Sequence, residues 1–293
     1  MRGLSTCVLR AVAGTPGAAS DARLCAFVLA SASALVLSSC GTGGLTGGVE
    51  APPETKESVF QQGHRLYLTG SYDSAQVLLL QAASMDSSYA DPVTDLASLH
   101  YDRAMAEKEG PSRVAPLKDA FRTFARAERL GNTDASTYER LCEISVALKD
   151  DRSFLRYAKK TAERYPFDRQ FYNLGLAYFN AGEYLNVVKS QKEAAEKFKQ
   201  SPYLGGFYRQ MGRAYMKMNR DQTAERTLES GLKAVGVRIA AMKKENGGVE
   251  NQQRLADDRV AILQLLRGLH QTYHADAKLQ EVESLLKEAG ALR

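Results

Sequence analysis

A chain of 293 residues with 39 lysines and arginines against 34 aspartates and glutamates carries a formal net charge of only +5. The two signs are interleaved along the sequence, which leaves no basic stripe of the kind a phosphate backbone requires, so nucleic acid is not an expected partner.

The first element in chain order is a leader. Leu24 to Leu37 is an uncharged run of Leu, Ala, Phe, Val, Ser and Cys, preceded by Arg2, Arg10 and Arg23, the order of a secretory signal. Its 14 residues fall short of the roughly 20 that a helix needs to cross about 30 Å of hydrocarbon. The basic region is long for a leader and contains Asp21, which points to a start downstream of Met1. The run closes with Leu37-Ser38-Ser39-Cys40 and opens onto Gly-Thr-Gly-Gly, and this resembles the lipobox of bacterial lipoproteins. The resemblance implies a signal peptide over residues 1–39, acylation of Cys40, and a protein lipid-anchored in the bacterial cell envelope and facing the periplasm. A plain secretory leader with an incidental cysteine is the alternative. Loss of residues 1–39 removes three arginines and one aspartate, taking the charge from +5 to +3.

Residues 40–56 follow as a lipidated cysteine and a tether. Gly and Pro dominate the stretch from Gly41 to Lys56, with too little apolar material to pack, and as a flexible coil it would reach about 20 Å. No Lys-Ser or Lys-Thr follows these glycines and no strand precedes them, so they do not make a phosphate loop. With Cys7 and Cys25 in the leader and Cys40 acylated, Cys142 is the only thiol left and no intrachain disulfide can form. It sits in Tyr-Glu-Arg-Leu-Cys-Glu-Ile, whose Leu141 and Ile144 mark an apolar helix face, so it reads as a small core residue.

From residue 57 to 293 the chain repeats. Gly63 is followed after twelve residues by Ala75 and after seven more by Ala82; Gly175, Val187 and Ala194 repeat these offsets, as do Gly212, Ala224 and Gly231. Leu66, Tyr178 and Tyr215 lie three after the leading glycine, and Gly70, Gly182 and Asn219 lie seven after it. Small residues on two facing helices let their backbones approach, an aromatic fills the space beside them, and a Gly or Asn ends the first helix in a left-handed conformation. This 34-residue pattern resembles the tetratricopeptide (TPR) repeat family, clearly over residues 56–89, 168–201 and 205–238. Ala120, Phe124 and Ala127 predict a repeat over 91–131 with a longer first helix and a loop at Gly110 to Ser112. Tyr138 to Tyr165 reads as a divergent pair, and helices from about Asn251 to His274 and Ala277 to Ala289 close the array. No segment alternates as a strand does. The expected fold is therefore all-α, a TPR-like helix-turn-helix solenoid of about six helix pairs. The family's usual tryptophan is absent, and Phe60, Phe171 and Tyr208 stand in its neighbourhood.

Catalytic patterns are sparse. His270 and His274 are one turn apart, as in the zinc-protease motif, but Gln271 stands where that motif places its carboxylate base. They read as a surface histidine pair, with no metal and no cofactor expected. Without a nucleophile elbow or a Cys/His pairing, a non-enzymatic role is expected.

A solenoid of this family offers the concave surface of its first helices to a partner. By motif position the candidates there are Phe60, His64 and Tyr67, then Tyr172, Leu176, Phe179 and Asn180, then Arg209, Arg213, Met216 and Lys217. Aromatic and apolar groups lead into a cationic end, which suits a peptide with hydrophobic side chains and an acidic group. The expected function is a membrane-tethered adaptor binding an envelope protein or peptide segment, as in lipoproteins of outer-membrane protein assembly. The alternatives are a lipoprotein working beside a periplasmic solute-binding protein, and a carrier of small molecules or lipids using an apolar groove.

Overall fold

A computed structural model describes residues 54–245 and 248–292; the leader, Cys40 and the tether up to residue 53 lie outside the described residues. Twelve α-helices and no strand are found among the described residues. They pair in sequence: α1 (Lys56–Leu68) with α2 (Tyr72–Met85), α3 (Ala90–Ala106) with α4 (Pro111–Arg129), and α5 (Ala135–Ala147) with α6 (Asp151–Arg164). Then follow α7 (Asp168–Asn180) with α8 (Tyr184–Lys197), α9 (Leu204–Lys217) with α10 (Asp221–Lys244), and α11 (Val249–Thr272) with α12 (Asp276–Glu288).

Local signals set the helix ends. Thr55 caps α1 in a capping box with Ser58, and Asp150 accepts from the Ser153 amide at 3.1 Å to start α6, each satisfying an amide the helix leaves free. At the other end Gly70 (φ 77°) and Gly182 (φ 77°) are left-handed. The Gly70 and Ser71 amides donate back to Tyr67 and Leu66 at 3.0 and 2.9 Å, closing the turn that glycine adopts without a Cβ penalty. Asn219, Lys149 and His274 take the same conformation at the ends of α9, α5 and α11. The α3–α4 connection differs from the expected loop, because Gly110 precedes a helix that already starts at Pro111, a residue suited to a first helical position where its missing N–H costs nothing.

The repeat's small residues do what the pattern requires. A Cβ on Gly212 would lie 2.5 Å from Leu228 Cδ2, and one on Gly231 2.5 Å from Tyr208 Cβ, so these helix pairs close only because no side chain stands between them. In the divergent pair, Cys142 occupies the glycine place, seven before the left-handed Lys149. Phe154 and Ala158 behind it reverse the small-then-large order of Ala75 and Leu79, conserving volume in a close-packed core. Cys142 is buried, as its apolar surroundings predict.

First helices also touch first helices: α1 meets α3, α7 meets α9 and α9 meets α11. They form one layer of the solenoid and the second helices form the other. The last pairs are longer than the 34-residue unit, with α10 and α11 each of 24 residues. Val235 and Met242 on the extension of α10 share an apolar core with Leu255 and Ile262 of α11.

Candidate functional site

The first-helix layer is stitched by side chains. His64 Nδ1 lies 2.6 Å from Asp95 Oδ2 and the Tyr67 hydroxyl donates to Asp102 at 2.8 Å, tying α1 to α3. Tyr101 donates to Glu143 at 3.1 Å and the Gln170 amide to Glu139 at 2.7 Å, tying α3 to α5 and α5 to α7. Arg209 then donates to the Tyr172 hydroxyl at 3.1 Å and pairs with Asp258 at 3.1 Å, tying α7 to α9 and α9 to α11. A run of polar links thus crosses every first helix of the array.

This stitching changes the roles of several expected groove residues. Phe60 is buried, edge-on to Tyr89, and belongs to the core of the first pair, because its position faces the connection into α3 rather than the open surface. His64 and Tyr67 remain half-exposed, but their polar atoms are engaged with α3. Tyr172 stacks on Tyr203 with centroids 5.2 Å apart. Asn180 is exposed and donates to Asp151 at 3.1 Å, so it braces α6. Arg209 is a structural partner of Asp258, not a free cation. Burial raises the pKa of Asp258, while Arg209 and Arg254 oppose that rise, and a Cβ on Gly205 would lie 2.5 Å from the Asp258 Cβ.

Five expected residues keep an open character. Leu176, Phe179, Arg213 and Met216 are partly buried and Lys217 is exposed. Between α7 and α9, the Arg213 guanidinium lies 4.3 Å from the Phe179 ring centroid, a cation–π contact. Its pKa is held below the ordinary arginine value, first by burial and then by the neighbouring Arg209 guanidinium. Arg213 is a half-buried cation without a carboxylate partner among the described residues.

Beneath this patch the core is unusually polar. Gln191 is fully buried where the other clear repeats place Leu79 and Leu228. Its amide donates to the Phe171 carbonyl at 2.8 Å and that of Gln210 to the Tyr172 carbonyl at 3.2 Å, while both amide oxygens are buried without a donor. Gly175 makes the space for both: a Cβ there would overlap the two side-chain amides. Gly175 lies one turn before Phe179 on α7 and Gln210 one turn before Arg213 on α9, and such departures from local packing rules are where a role beyond stability is sought.

The histidine pair is also corrected. His270 is buried, 3.1 Å from Glu225 Oε1, and His274 is the left-handed residue beyond the helix end, so the two do not form a surface pair. Glu225, Glu229 and His270 are close enough to share a cation. The Lys278 ammonium is that cation, 2.5 Å from Glu225 and 3.5 Å from Glu229. The adjoining cleft of about 590 Å³ is open and lined by polar groups such as Asp221 and Thr223; it is not the apolar cavity that carrying a lipid would need.

No protein-family model and no curated protein matches this sequence. Among solved structures the chain is similar to YrrB, described as a TPR protein with an unusual peptide-binding site. The two share 16% identity over 69% of this chain and 97% of that one, with a TM-score of 0.51. It is also similar to MamA, at 16% identity over 61% of this chain and 91% of that one with a TM-score of 0.47. A MamA from Desulfovibrio magneticus RS-1 matches at 14% identity over 63% of this chain and 97% of that one, with a TM-score of 0.45. Identity at this level speaks to the fold alone. The helix pairing, the left-handed turns and the small-residue contacts, with the likeness to YrrB, make the described part of this chain an all-α, TPR-type solenoid.

Proposed function

We propose that this protein is a lipid-anchored adaptor of the bacterial cell envelope that holds an acidic segment of a partner protein on its first-helix face, between α7 and α9. The observation that carries the reading is Arg213, half-buried over Phe179 and without a carboxylate partner among the described residues. Guanidinium groups desolvated beside an aromatic ring are common anchors of protein interfaces, since the partner's anion meets a cation already stripped of part of its water. Leu176 and Met216, on the same two helices and only partly taken up by the core, would offer their remaining apolar surface to the hydrophobic side chains of such a segment.

The anchor part of the reading rests on the lipobox-like Leu37-Ser38-Ser39-Cys40, and a role in outer-membrane protein assembly is its most specific form. Growth with labelled palmitate tests the anchor: label should enter the wild-type chain and be absent from Cys40→Ser. Affinity purification of the tagged protein from its own cells, with mass spectrometry, tests the adaptor. Recovery of an envelope protein whose binding needs Arg213 supports it. An unlabelled chain sinks the anchor, and a partner indifferent to Arg213 sinks the site.

A further inference from the structure

The second helices of a solenoid form its outer layer and normally carry charge. Five of the six follow this rule: α8, for example, has Lys189, Lys192, Glu193, Glu196 and Lys197, and α4, α6, α10 and α12 each carry at least as many charged side chains. The exception is α2, whose one charged residue is Asp73, and that carboxylate is taken by Arg103 at 2.5 Å.

The outward face of α2 is apolar instead. Ala75, Leu79 and Ala82 point into the core, while on the opposite side Val77, Leu80 and Met85 are 65%, 51% and 46% exposed. Asp73, Ser84 and Gln81 share this side with them, Asp73 one turn before Val77 and with its charge paired by Arg103. A terminal repeat needs a polar outer face to stay soluble; this one lacks it, in the repeat that the chain enters first. The entry point is on the same face, where Gln81 Nε2 donates to Glu54 Oε2 at 3.3 Å. Glu54, the first described residue after the tether, therefore lies at Gln81.

We propose that the outward face of α2 rests on the bilayer surface, with Val77, Leu80 and Met85 entering the headgroup–acyl boundary. The proposal rests on the lipid-anchor reading above. Three aliphatic side chains are too few to hold a protein at a membrane, just as a single weak signal gives only marginal binding. They suffice once an anchor has raised the local concentration of lipid, because the encounter no longer carries the full entropic cost of association. Each unpaired Lys or Glu buried there would oppose such a contact; the one charged residue of α2, Asp73, is paired with Arg103 and can stay at headgroup level while the three apolar side chains enter. The anchored first repeat would then lie against the membrane and set the orientation of the array.

The chain contains no tryptophan, so a single introduced indole reports cleanly. Lipidated full-length protein carrying Leu80→Trp, and separately Val77→Trp, is reconstituted into phosphatidylethanolamine–phosphatidylglycerol vesicles with and without brominated acyl chains. Val237→Trp, on the exposed face of α10, is the control. Both α2 reporters should shift to shorter wavelength on vesicle binding and be quenched by brominated lipid, while the control does neither. Protein that takes the palmitate label and co-floats with vesicles, yet leaves the α2 reporters unshifted and unquenched, overturns the proposal and leaves the anchor standing. Protein that neither takes label nor co-floats overturns both. An indole already shielded without vesicles, and indifferent to bromination, shows that protein covers this face and likewise overturns the proposal.

Discussion

Arg209 and Asp258 are 49 residues apart in sequence and 3.1 Å apart in space, the guanidinium of α9 closing on a carboxylate that α11 buries almost completely. Removing the arginine would strand that charge, and breaking a buried pair from one side typically costs about 3 to 5 kcal/mol. Arg213, one turn on, has only Phe179 to lose, a contact of about 0.5 to 1 kcal/mol. Urea unfolding should therefore show Arg209→Ala severely destabilised and Arg213→Ala close to wild type. Equal effects would mean that the two arginines do not differ in role.

Gly175 and Gln191 make a second pair of linked expectations. Gly175→Leu overpacks a place where even a Cβ meets both Gln191 and Gln210, so a loss of about 1 to 3 kcal/mol is expected, at the upper end because two amides must also give up their carbonyls. Gln191→Leu restores the residue type found at Leu79 and Leu228 and removes an amide oxygen without a donor; it should be neutral or stabilising by about 1 kcal/mol. Gly236, inside α10 with open space around it, is the control: Gly236→Ala should stabilise by about 0.5 to 1 kcal/mol through helix propensity.

How much of this could be read from the sequence divides along a physical line. The leading glycines at 63, 175 and 212, and the left-handed residues seven places on, were legible because a missing Cβ and a positive φ are local constraints with fixed spacing. Cys142 stands in the same place and was harder to see, since Phe154 and Ala158 behind it exchange large for small and break the pattern while preserving the packing. The first-helix links were not legible at all. Position alone puts Arg209 and Arg213 on one face, and only the register of α11 decides that the first finds Asp258 while the second finds the Phe179 ring and, among the described residues, no carboxylate.

Acid should unfold this protein partly through Glu225. The Lys278 ammonium, and then His270, hold its carboxyl below the ordinary value of 4.5. A lowered folded pKa gives stability that is present above the unfolded value and lost as pH falls through the folded one. The contribution is therefore complete at pH 7 and is lost as pH falls from the ordinary value through the lower folded one. Urea midpoints at pH 7 and pH 3 should differ less in Glu225→Gln than in wild type. Asp258 acts in the opposite sense: its pKa is raised, so its ionisation costs stability as pH climbs past the ordinary carboxylate range. Arg209→Ala should enlarge that cost.

Cys142 should be chemically silent. Burial pushes its thiol up to about 12, and its contact is the Thr161 hydroxyl at 4.0 Å, so almost no thiolate forms at neutral pH. Iodoacetamide should leave the peptide containing Cys142 unmodified in the folded chain and label it in urea, as read by mass spectrometry. Rapid labelling under native conditions would show that α5 and α6 open readily or that this thiol is activated.

The face between α7 and α9 gives the last expectation. Phe179 and Arg213 are in contact across two neighbouring first helices at 4.3 Å, so they form one patch rather than two independent positions, and their contributions should be coupled. Central aromatic and arginine contacts each commonly carry about 2 kcal/mol or more, and every 1.4 kcal/mol is about tenfold in affinity. Phe179→Ala with Arg213→Ala should therefore weaken a captured partner by well over tenfold while circular dichroism stays helical. Arg213→Lys separates charge from shape. It keeps the cation but loses the flat fork that pairs with a carboxylate, so affinity should fall between wild type and Arg213→Ala if the partner presents an acidic group. Substituting that group on the partner should then cost wild type much and the double variant almost nothing, a double-mutant cycle that a purely structural role for Arg213 would leave additive. A partner that binds the folded double variant as tightly as wild type does not use this face, and the outer layer of second helices would become the surface to search.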